Sequence, residues 1–402
     1  MTETEDSTKA KPQRRVIRRR RLDRKPVVDP ILLKEVIQES ALPKDYNFEI
    51  LKSIERIVRD DVSHVALQLP EGLLMYATVL ADIFKRLCPK LVSVSVLGDV
   101  TYGACCVNDI EAGALGATLL IHYGHSCLVP LNKTVLPTLY VFVEILIDVQ
   151  HLVDCVCATL PEGSHVALMG TVQFRNALVD ASNLLEERNR PCMIPQAKPL
   201  SPGEVLGCTA PTLTSNSLSR TMVFVADGRF HLEAAMIANP DLRALRYDPY
   251  AKTLTEEEYE TTKTHSIRQS TIKAARNASC FGIVLGTLGR QGNPAILART
   301  RSLLARNNKR CFVVLMSELS PQKLQLFDRK NVDAWVQIAC PRLSIDWGHF
   351  FDKPLLTAYE LHTLFDKEQE HTQIHPMDFY KNDAGPWGNN FQGNKDRQMT
   401  CL

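Results

Sequence analysis

The sequence has 402 residues, of which 45% are apolar and 23% charged, so it is long enough for two or three domains with buried cores. No stretch approaches the roughly 18 to 20 uninterrupted apolar residues of a membrane span, and the amino terminus lacks the apolar segment of a signal peptide. We therefore expect a globular cytoplasmic protein with no membrane association.

The formal net charge of +2 hides a strong asymmetry along the chain. Residues 1–25 hold ten Lys/Arg and four acidic residues, and taking this +6 from the total leaves about −4 for the rest. This balance argues against nucleic-acid binding by the body. The basic tail is compatible with contact to RNA, a ribosome surface or an import receptor, and so with an additional nuclear location, or with a solvated tail that has no partner.

Beyond the tail, the apolar spacing predicts an amphipathic helix over 45–60 and then three similar units of a parallel sheet. Each unit opens with a short apolar strand that runs into a turn and then a helix. The openings lie at His64, His165 and Cys280, so the repeat has the length of a domain. The predicted helices are 76–87, 176–187 and 295–305, and the further strands are 91–97 and 311–315.

The twelve cysteines contain no Cys-x-x-Cys pair, which disfavours a zinc finger, and a reducing compartment disfavours disulfides. One cysteine nevertheless follows each unit opening in a loop of small residues, namely Cys105, Cys208 and Cys340. Each alone is by default a buried inert thiol. Their equivalent positions favour a shared metal centre, because the backbone in such loops can approach a ligand closely. Cys106 is a rival that position does not exclude, and we prefer Cys105 as the first residue after Gly-Ala.

We expect an α/β fold of three homologous parallel-sheet βα domains around a pseudo-threefold axis, with a central iron-sulfur site. Loops beyond the carboxyl ends of the strands would face one another there, where open sheets hold ligands. The predicted parts are a basic disordered tail and lead-in (1–40), α/β domains 1 to 3 (41–158, 159–262 and 263–375) and a flexible C-terminal tail (376–402).

Several other candidate residues have structural interpretations that weigh more than functional ones. His122, His125 and Cys127 follow an apolar stretch, where hydrogen-bonded or packed side chains are more common than functional ones. Cys155 and Cys157 lie two apart on a predicted helix, so their side chains diverge and we interpret both as packing.

The glycine-rich turn at 286–292 matches neither a P-loop nor a dinucleotide fingerprint. It is either a plain tight turn or a loop that holds an anionic group on its backbone N–H donors. In the second case, Arg290 would be available for a carboxylate.

A three-cysteine site has consequences for chemistry. A 4Fe-4S cluster that only carries electrons normally has four protein ligands, so three ligands leave one iron open to a substrate. The sequence therefore favours an enzyme over a binding module.

Five motifs carry a resemblance to a known family, and they are Gly98-Asp-Val-Thr-Tyr-Gly-Ala-Cys105, Ile121-His-Tyr-Gly-His125, Leu206-Gly-Cys-Thr-Ala-Pro211, Tyr247-Asp-Pro-Tyr250 and Ile338-Ala-Cys-Pro-Arg-Leu-Ser-Ile-Asp-Trp-Gly348. From about residue 40 to 390 the chain resembles the diphthamide biosynthesis protein 1 family, the first subunit of 2-(3-amino-3-carboxypropyl)histidine synthase. Gly385-Pro-Trp387 also looks like the carboxyl end of that family.

The resemblance implies a transferase with a 4Fe-4S cluster on Cys105, Cys208 and Cys340, and with S-adenosylmethionine as substrate at the open iron. One electron would cleave that molecule and release a 3-amino-3-carboxypropyl radical. The radical would add to a histidine of translation elongation factor 2, the first step of diphthamide biosynthesis. The resemblance also implies a heterodimer with a homologous second subunit, and a separate reductant protein. From the 286–292 loop alone, we predict that Arg290 and Gln291 contact the methionine moiety.

Two alternatives stay open. Quinolinate synthase also has three α/β domains around a three-cysteine cluster, which acts there as a Lewis acid in a dehydration. A scaffold subunit whose cysteines are merely structural, and whose tail tethers it to the ribosome, would instead carry no iron.

Overall fold

The computed structural model describes residues 27–99, 101–131, 133–213, 218–327, 332–366 and 375–393. These residues form three sheets of four or five strands, with helices between them, and one short two-stranded ribbon. The α/β class with parallel sheets is therefore as predicted. Residues 1–26 of the predicted basic tail lie outside the described ranges. No helix within those ranges is both long enough and apolar enough to cross a lipid bilayer.

The first sheet lies in the amino-terminal part of the chain. Its elements and their neighbours are α1 (Pro30–Glu39), β1 (Tyr46–Asn47), α2 (Ile50–Arg59), β2 (His64–Gln68), α3 (Glu71–Leu74), α4 (Ala77–Leu87), β3 (Ser93–Leu97), α5 (Asp109–Ala114), β4 (Leu119–Tyr123), β5 (Thr138–Val141), β6 (Glu144–Ile145) and α6 (Val149–Thr159). The strand order is β3-β2-β4-β5, and all the pairs are parallel. The ribbon pairs β1 with β6 antiparallel, and the helix predicted over 45–60 is confirmed in the shorter form of α2.

The second sheet has five strands and follows α6. Its elements are β7 (Val166–Gly170), a 3-10 turn (Val172–Phe174), α7 (Arg175–Glu187), β8 (Cys192–Met193), β9 (Thr221–Val225), α8 (Phe230–Ala238), β10 (Arg243–Asp248) and β11 (Thr253–Glu257). The order is β11-β10-β9-β7-β8, and only β11 runs antiparallel to its neighbour.

The third sheet is parallel throughout. Its elements are α9 (Thr261–Ala275), β12 (Cys280–Gly286), α10 (Pro294–Arg306), β13 (Arg310–Met316), α11 (Pro321–Gln325), β14 (Ala334–Ile338), α12 (Arg342–Trp347), a 3-10 turn (Gly348–Phe350), β15 (Leu355–Thr357) and α13 (Ala358–Phe365). The order is β13-β12-β14-β15. Each predicted domain range thus contains one main sheet, and the domain limits and the pseudo-threefold axis stay predictions.

One hydrophobic cluster joins the three sheets. It contains Ile283 and Val336 from the third sheet, Ala104 from the loop after β3, and Ala197 and Leu200 from the loop after β8. Because such a cluster excludes water from all its members at once, it fixes the loops of different sheets against one another. The side chains of two predicted site cysteines pack against this cluster.

Residues 375–393 do not form the flexible tail that we predicted from 376 onward. Met377, Phe379 and Tyr380 are buried, and the Ala210 N–H donates to the Met377 carbonyl at 2.8 Å. Arg299 of α10 donates to the carbonyls of Pro386 and Gly388. The segment is held because its aromatic side chains bury apolar area while its backbone bonds to two sheets. Residues 394–402 lie outside the described ranges.

Candidate functional site

Cys105, Cys208 and Cys340 line the same cavity, which has a volume of about 420 Å³. This volume falls within the roughly 300–1,000 Å³ typical of small-molecule sites. The cavity walls include apolar side chains from all three parts of the chain, such as Leu128, Leu206 and Leu343. The structure therefore brings the three predicted cysteines to one largely apolar cavity.

The electrostatics of the cavity disfavour three bare thiolates. Burial and the nearby Cys340 raise the pKa of Cys208 to about 12. A hydrogen bond with Cys106, burial and the charges of Cys208 and Cys340 raise the pKa of Cys105 well above its usual value, and burial raises the pKa of Cys340. Thiolates in such a place need a positively charged partner, and a metal centre supplies one. The donor set therefore fits a metal cluster.

The described residues contain no group of three or more His, Cys, Asp or Glu side chains placed to hold a single metal ion. Ligands of a single zinc ion each lie about 2.3 Å from the metal, which brings their sulfurs within about 4 Å of one another. Ligands of an iron-sulfur cluster bind different iron atoms and so lie farther apart.

The adjacent cysteines 105 and 106 take different positions. Cys105 lines the cavity, whereas Cys106 is buried outside it, and the Gln291 side-chain amide donates to its sulfur at 3.8 Å. Hydrogen bonds from Cys105 and from the backbone of Gly103 and Tyr102 lower the pKa of Cys106 to about 7. Of these two residues, Cys105 is the one on the cavity wall, and the charge of Cys106 also reaches Cys340.

A buried glutamine at the end of β2 holds the loop of Cys105. The Gln68 side chain donates to the Cys106 carbonyl at 2.7 Å and accepts from the Asn108 N–H at 3.1 Å. Its oxygen also lies 2.9 Å from Nδ1 of His122, which is fully buried. Every polar atom of this amide is therefore engaged in fixing the loop.

A second buried glutamine performs the same task at the end of β14. The Gln337 side chain donates to the Cys340 carbonyl at 2.8 Å and to the Ser344 hydroxyl at 3.1 Å. It accepts from the Ala339 N–H at 2.9 Å. The Cys340 turn is thus fixed from within its own sheet.

The loop of Cys208 has no such glutamine, and residues 375–393 hold it instead. The Phe379 N–H donates to the Cys208 carbonyl at 3.3 Å, and the Tyr380 N–H donates to the Thr209 hydroxyl at 3.0 Å. The Thr209 and Leu206 backbones also exchange two hydrogen bonds. This loop therefore depends on a segment far along the chain.

The 286–292 turn packs on the Cys105 loop. Gly289 has a φ of +53°, and a side-chain Cβ there would lie 2.5 Å from the Cys106 carbonyl carbon, so only glycine fits. The Arg290 N–H donates to the Cys105 carbonyl at 2.8 Å, and its guanidinium binds both oxygens of buried Asp109 at 2.8 and 2.6 Å. The structure therefore places Gln291 on the cavity wall, whereas Arg290 is engaged by Asp109 and is not on that wall.

Two histidines reach the cavity, and the sequence analysis missed one of them. His125 and His231 both line it, and burial lowers the pKa of each to about 4. Both rings are thus neutral at pH 7. His231 lies in the first turn of α8, where no motif distinguishes it. His122, in contrast, is a structural residue.

Arg342 joins the second and third sheets beside the cavity. Its guanidinium contacts Glu233 at 2.5 Å and Asp346 at 2.8 Å, and it lies 4.5 Å from the centre of the Phe230 ring. Because a buried arginine with two carboxylates is fully paired, it fixes α8 against α12. Cys155, Cys157 and Cys192 pack in a separate cluster of the second sheet, away from the cavity.

The fold and the cavity define an α/β protein with three parallel or mostly parallel sheets and a shared three-cysteine site. Sequence comparison is consistent with this class, since the pattern of the diphthamide synthesis proteins matches residues 69–375. The chain belongs to the family of diphthamide synthesis proteins, as its cysteine motifs predicted.

Relatives named 2-(3-amino-3-carboxypropyl)histidine synthase subunit 1 are similar to most of the chain. The protein of Gallus gallus is 51% identical over 363 residues, which is 90% of this chain and 86% of that protein. The Schizosaccharomyces pombe protein is 48% identical, over 92% of this chain and 85% of its own length. The human protein is 48% identical, over 90% of this chain and 82% of its own length.

Solved structures show the same architecture. Dph2 from Pyrococcus horikoshii superposes with a TM-score of 0.67 at 25% identity, over 82% of this chain and 94% of that protein. A second crystal structure of that protein contains a 4Fe-4S cluster and matches equally well.

Proposed function

We propose that this chain transfers the 3-amino-3-carboxypropyl group of S-adenosylmethionine to a histidine of translation elongation factor 2, the first step of diphthamide biosynthesis. The observation that carries the proposal is the lining of one cavity by Cys105, Cys208 and Cys340. The names of the relatives and the cluster in the Pyrococcus protein support it.

The three cysteines would hold a 4Fe-4S cluster, each on a different iron, which leaves one iron for S-adenosylmethionine. When bound, the cluster would supply the single electron that cleaves the bond between sulfur and the γ-carbon, giving methylthioadenosine and the 3-amino-3-carboxypropyl group as a radical. The protein must therefore hold both reactants and keep water and oxygen away from them.

The chain's own residues suit these tasks. The leucines of the cavity wall exclude water, while the neutral rings of His125 and His231 offer polar atoms without adding charge. Gln291 remains our prediction for a contact to the methionine moiety. Since the guanidinium of Arg290 is committed to Asp109, we assign Arg290 to positioning of the Cys105 loop instead.

The wider assembly is also part of the proposal. The names of the relatives contain the words subunit 1, which supports a heterodimer with a homologous second subunit. A separate reductant protein would reduce the cluster. We further propose three homologous domains around a pseudo-threefold axis, and a cytoplasmic location.

Anaerobic reconstitution of the chain with its second subunit tests the proposal directly. We expect about four iron atoms per chain. With reductant and S-adenosylmethionine, we expect elongation factor 2 to gain the mass of one 3-amino-3-carboxypropyl group on histidine. An iron-loaded complex that leaves elongation factor 2 unmodified would overturn the assigned reaction, and a chain without iron would overturn the assigned cofactor.

A further inference from the structure

Tyr380 brings a phenol to the cysteine cavity from the end of the chain. Its side chain is 6% exposed, lines the cavity and belongs to the hydrophobic cluster against which Cys105 and Cys208 pack. The family match ends at residue 375, so this residue lies outside the matched region. Sequence patterns gave no sign of it.

The position of the Tyr380 ring is fixed by its backbone and its neighbours. Its N–H donates to the Thr209 hydroxyl at 3.0 Å, and its carbonyl accepts from the Asn390 side chain at 2.7 Å. The Phe379 ring meets it edge to face, with 5.4 Å between centroids. A ring held in this way has one position on the cavity wall.

The hydroxyl has no hydrogen-bond partner among the described residues. A phenol keeps its proton at neutral pH, so this O–H group can donate a hydrogen bond to a sulfur atom in the cavity.

We propose that the Tyr380 hydroxyl donates a hydrogen bond to a sulfur of the iron-sulfur centre on Cys105, Cys208 and Cys340, and thereby raises the reduction potential of that centre. The inference rests on the proposed function, since it requires the cluster. A donor stabilises the reduced, more negative state more than the oxidised state. Tyr380 is therefore a residue that tunes the centre, in addition to the three that hold it.

The test replaces Tyr380 by phenylalanine, which keeps the ring and removes only the hydroxyl. The matched control is Tyr123→Phe, because Tyr123 is also a buried tyrosine but packs in the core of the first sheet and does not line the cavity. Iron per chain and the midpoint potential of the anaerobically reconstituted protein are measured, the latter by a redox titration followed by electron paramagnetic resonance. We expect a more negative potential for Tyr380→Phe and the wild-type potential for Tyr123→Phe.

A second variant carries 3-fluorotyrosine at position 380, which is a stronger donor of the same shape. We expect its potential to shift to more positive values, opposite to the phenylalanine variant, and this measurement decides the matter should Tyr380→Phe lose iron. If both variants at position 380 bind iron and keep the wild-type midpoint potential, the inference about Tyr380 is overturned and the proposed function is not. A wild-type chain that binds no iron would overturn the proposed function, and the inference with it.

Discussion

The loops of Cys105 and Cys340 are held differently from the loop of Cys208. Gln68 and Gln337 fix the first two from the ends of strands in their own sheets. The third is held by backbone contacts to residues 375–393, which follow it by more than 160 residues. Two walls of the cavity are thus bonded to a strand of their own sheet, with one added contact from the Arg290 N–H to the Cys105 carbonyl, while the third is bonded to the end of the chain. We therefore expect the Cys208 loop to be the first of the three to lose its structure when the protein is destabilised.

The largest effect on iron binding should come from removing a thiol, and we expect the same loss at each of the three loops. Cys105→Ala, Cys208→Ala and Cys340→Ala should each abolish cluster retention, whereas Cys155→Ala and Cys192→Ala in the separate cluster should not. Iron per chain after anaerobic reconstitution checks this. Similar iron content in all five variants would contradict a shared centre.

Detaching the C-terminal segment should affect the Cys208 loop selectively. The Trp387 indole donates to the Asp378 carboxylate and its ring lies 4.9 Å from that of Tyr359. Trp387→Ala should therefore cost about 3 kcal/mol of unfolding free energy. Hydrogen exchange should rise at 206–210 and 375–393 and stay unchanged at 104–108. Equal acceleration in both loops would show that the two walls are not independent.

Removing either glutamine should produce the opposite pattern. Gln337→Leu leaves the Cys340 carbonyl and the Ala339 N–H without their partner, which should cost about 2 to 3 kcal/mol. The rate of backbone amide hydrogen exchange should then rise at residues 338–344 and not at residues 206–210. Gln68→Leu should act likewise on 105–108, and urea unfolding gives the energies. Rapid exchange at 206–210 in the glutamine variants would contradict the comparison.

Acidification should weaken the attachment of the C-terminal segment. His362 lies 5.8 Å from the Trp387 ring, and burial together with the charges of Arg299 and Arg306 lowers its pKa to about 4. In the unfolded chain the pKa of a histidine is about 6.5. Between pH 6.5 and 4, His362 is therefore protonated in the unfolded chain and neutral in the folded chain, which favours unfolding. Stability should fall by about 2 kcal/mol from pH 7 to 5 on account of this residue. His362→Gln should remove that part of the pH dependence, and an unchanged slope would show that His362 does not cause it.

Most of the fold follows from local sequence pattern. The strands at 64, 165 and 280 and the helices after them are where predicted, since alternation of apolar runs and turns depends only on neighbouring residues. The three cysteines chosen from their position after each opening line one cavity, and their role as ligands stays a prediction. Loops that follow the carboxyl ends of buried parallel strands lie at the same edge of the sheet. The residues that they bring to that edge can therefore be predicted from the sequence.

The parts that sequence did not reveal all depend on contacts between distant segments. The guanidinium of Arg290 binds Asp109, 181 residues away in the sequence, and does not line the cavity. Gln68 and Gln337 look like ordinary strand residues until their loop partners are known, and Tyr380 sits in a segment that composition marks as a tail. No periodicity encodes such pairs, because they are set by how whole sheets dock.

The late position of two cavity components bears on how the protein matures. Cys340 and Tyr380 emerge near the close of synthesis, after the first two sheets are complete. A nascent chain that stops before them lacks two residues of the cavity wall. Insertion of the proposed cluster would therefore have to follow synthesis of Cys340 and Tyr380.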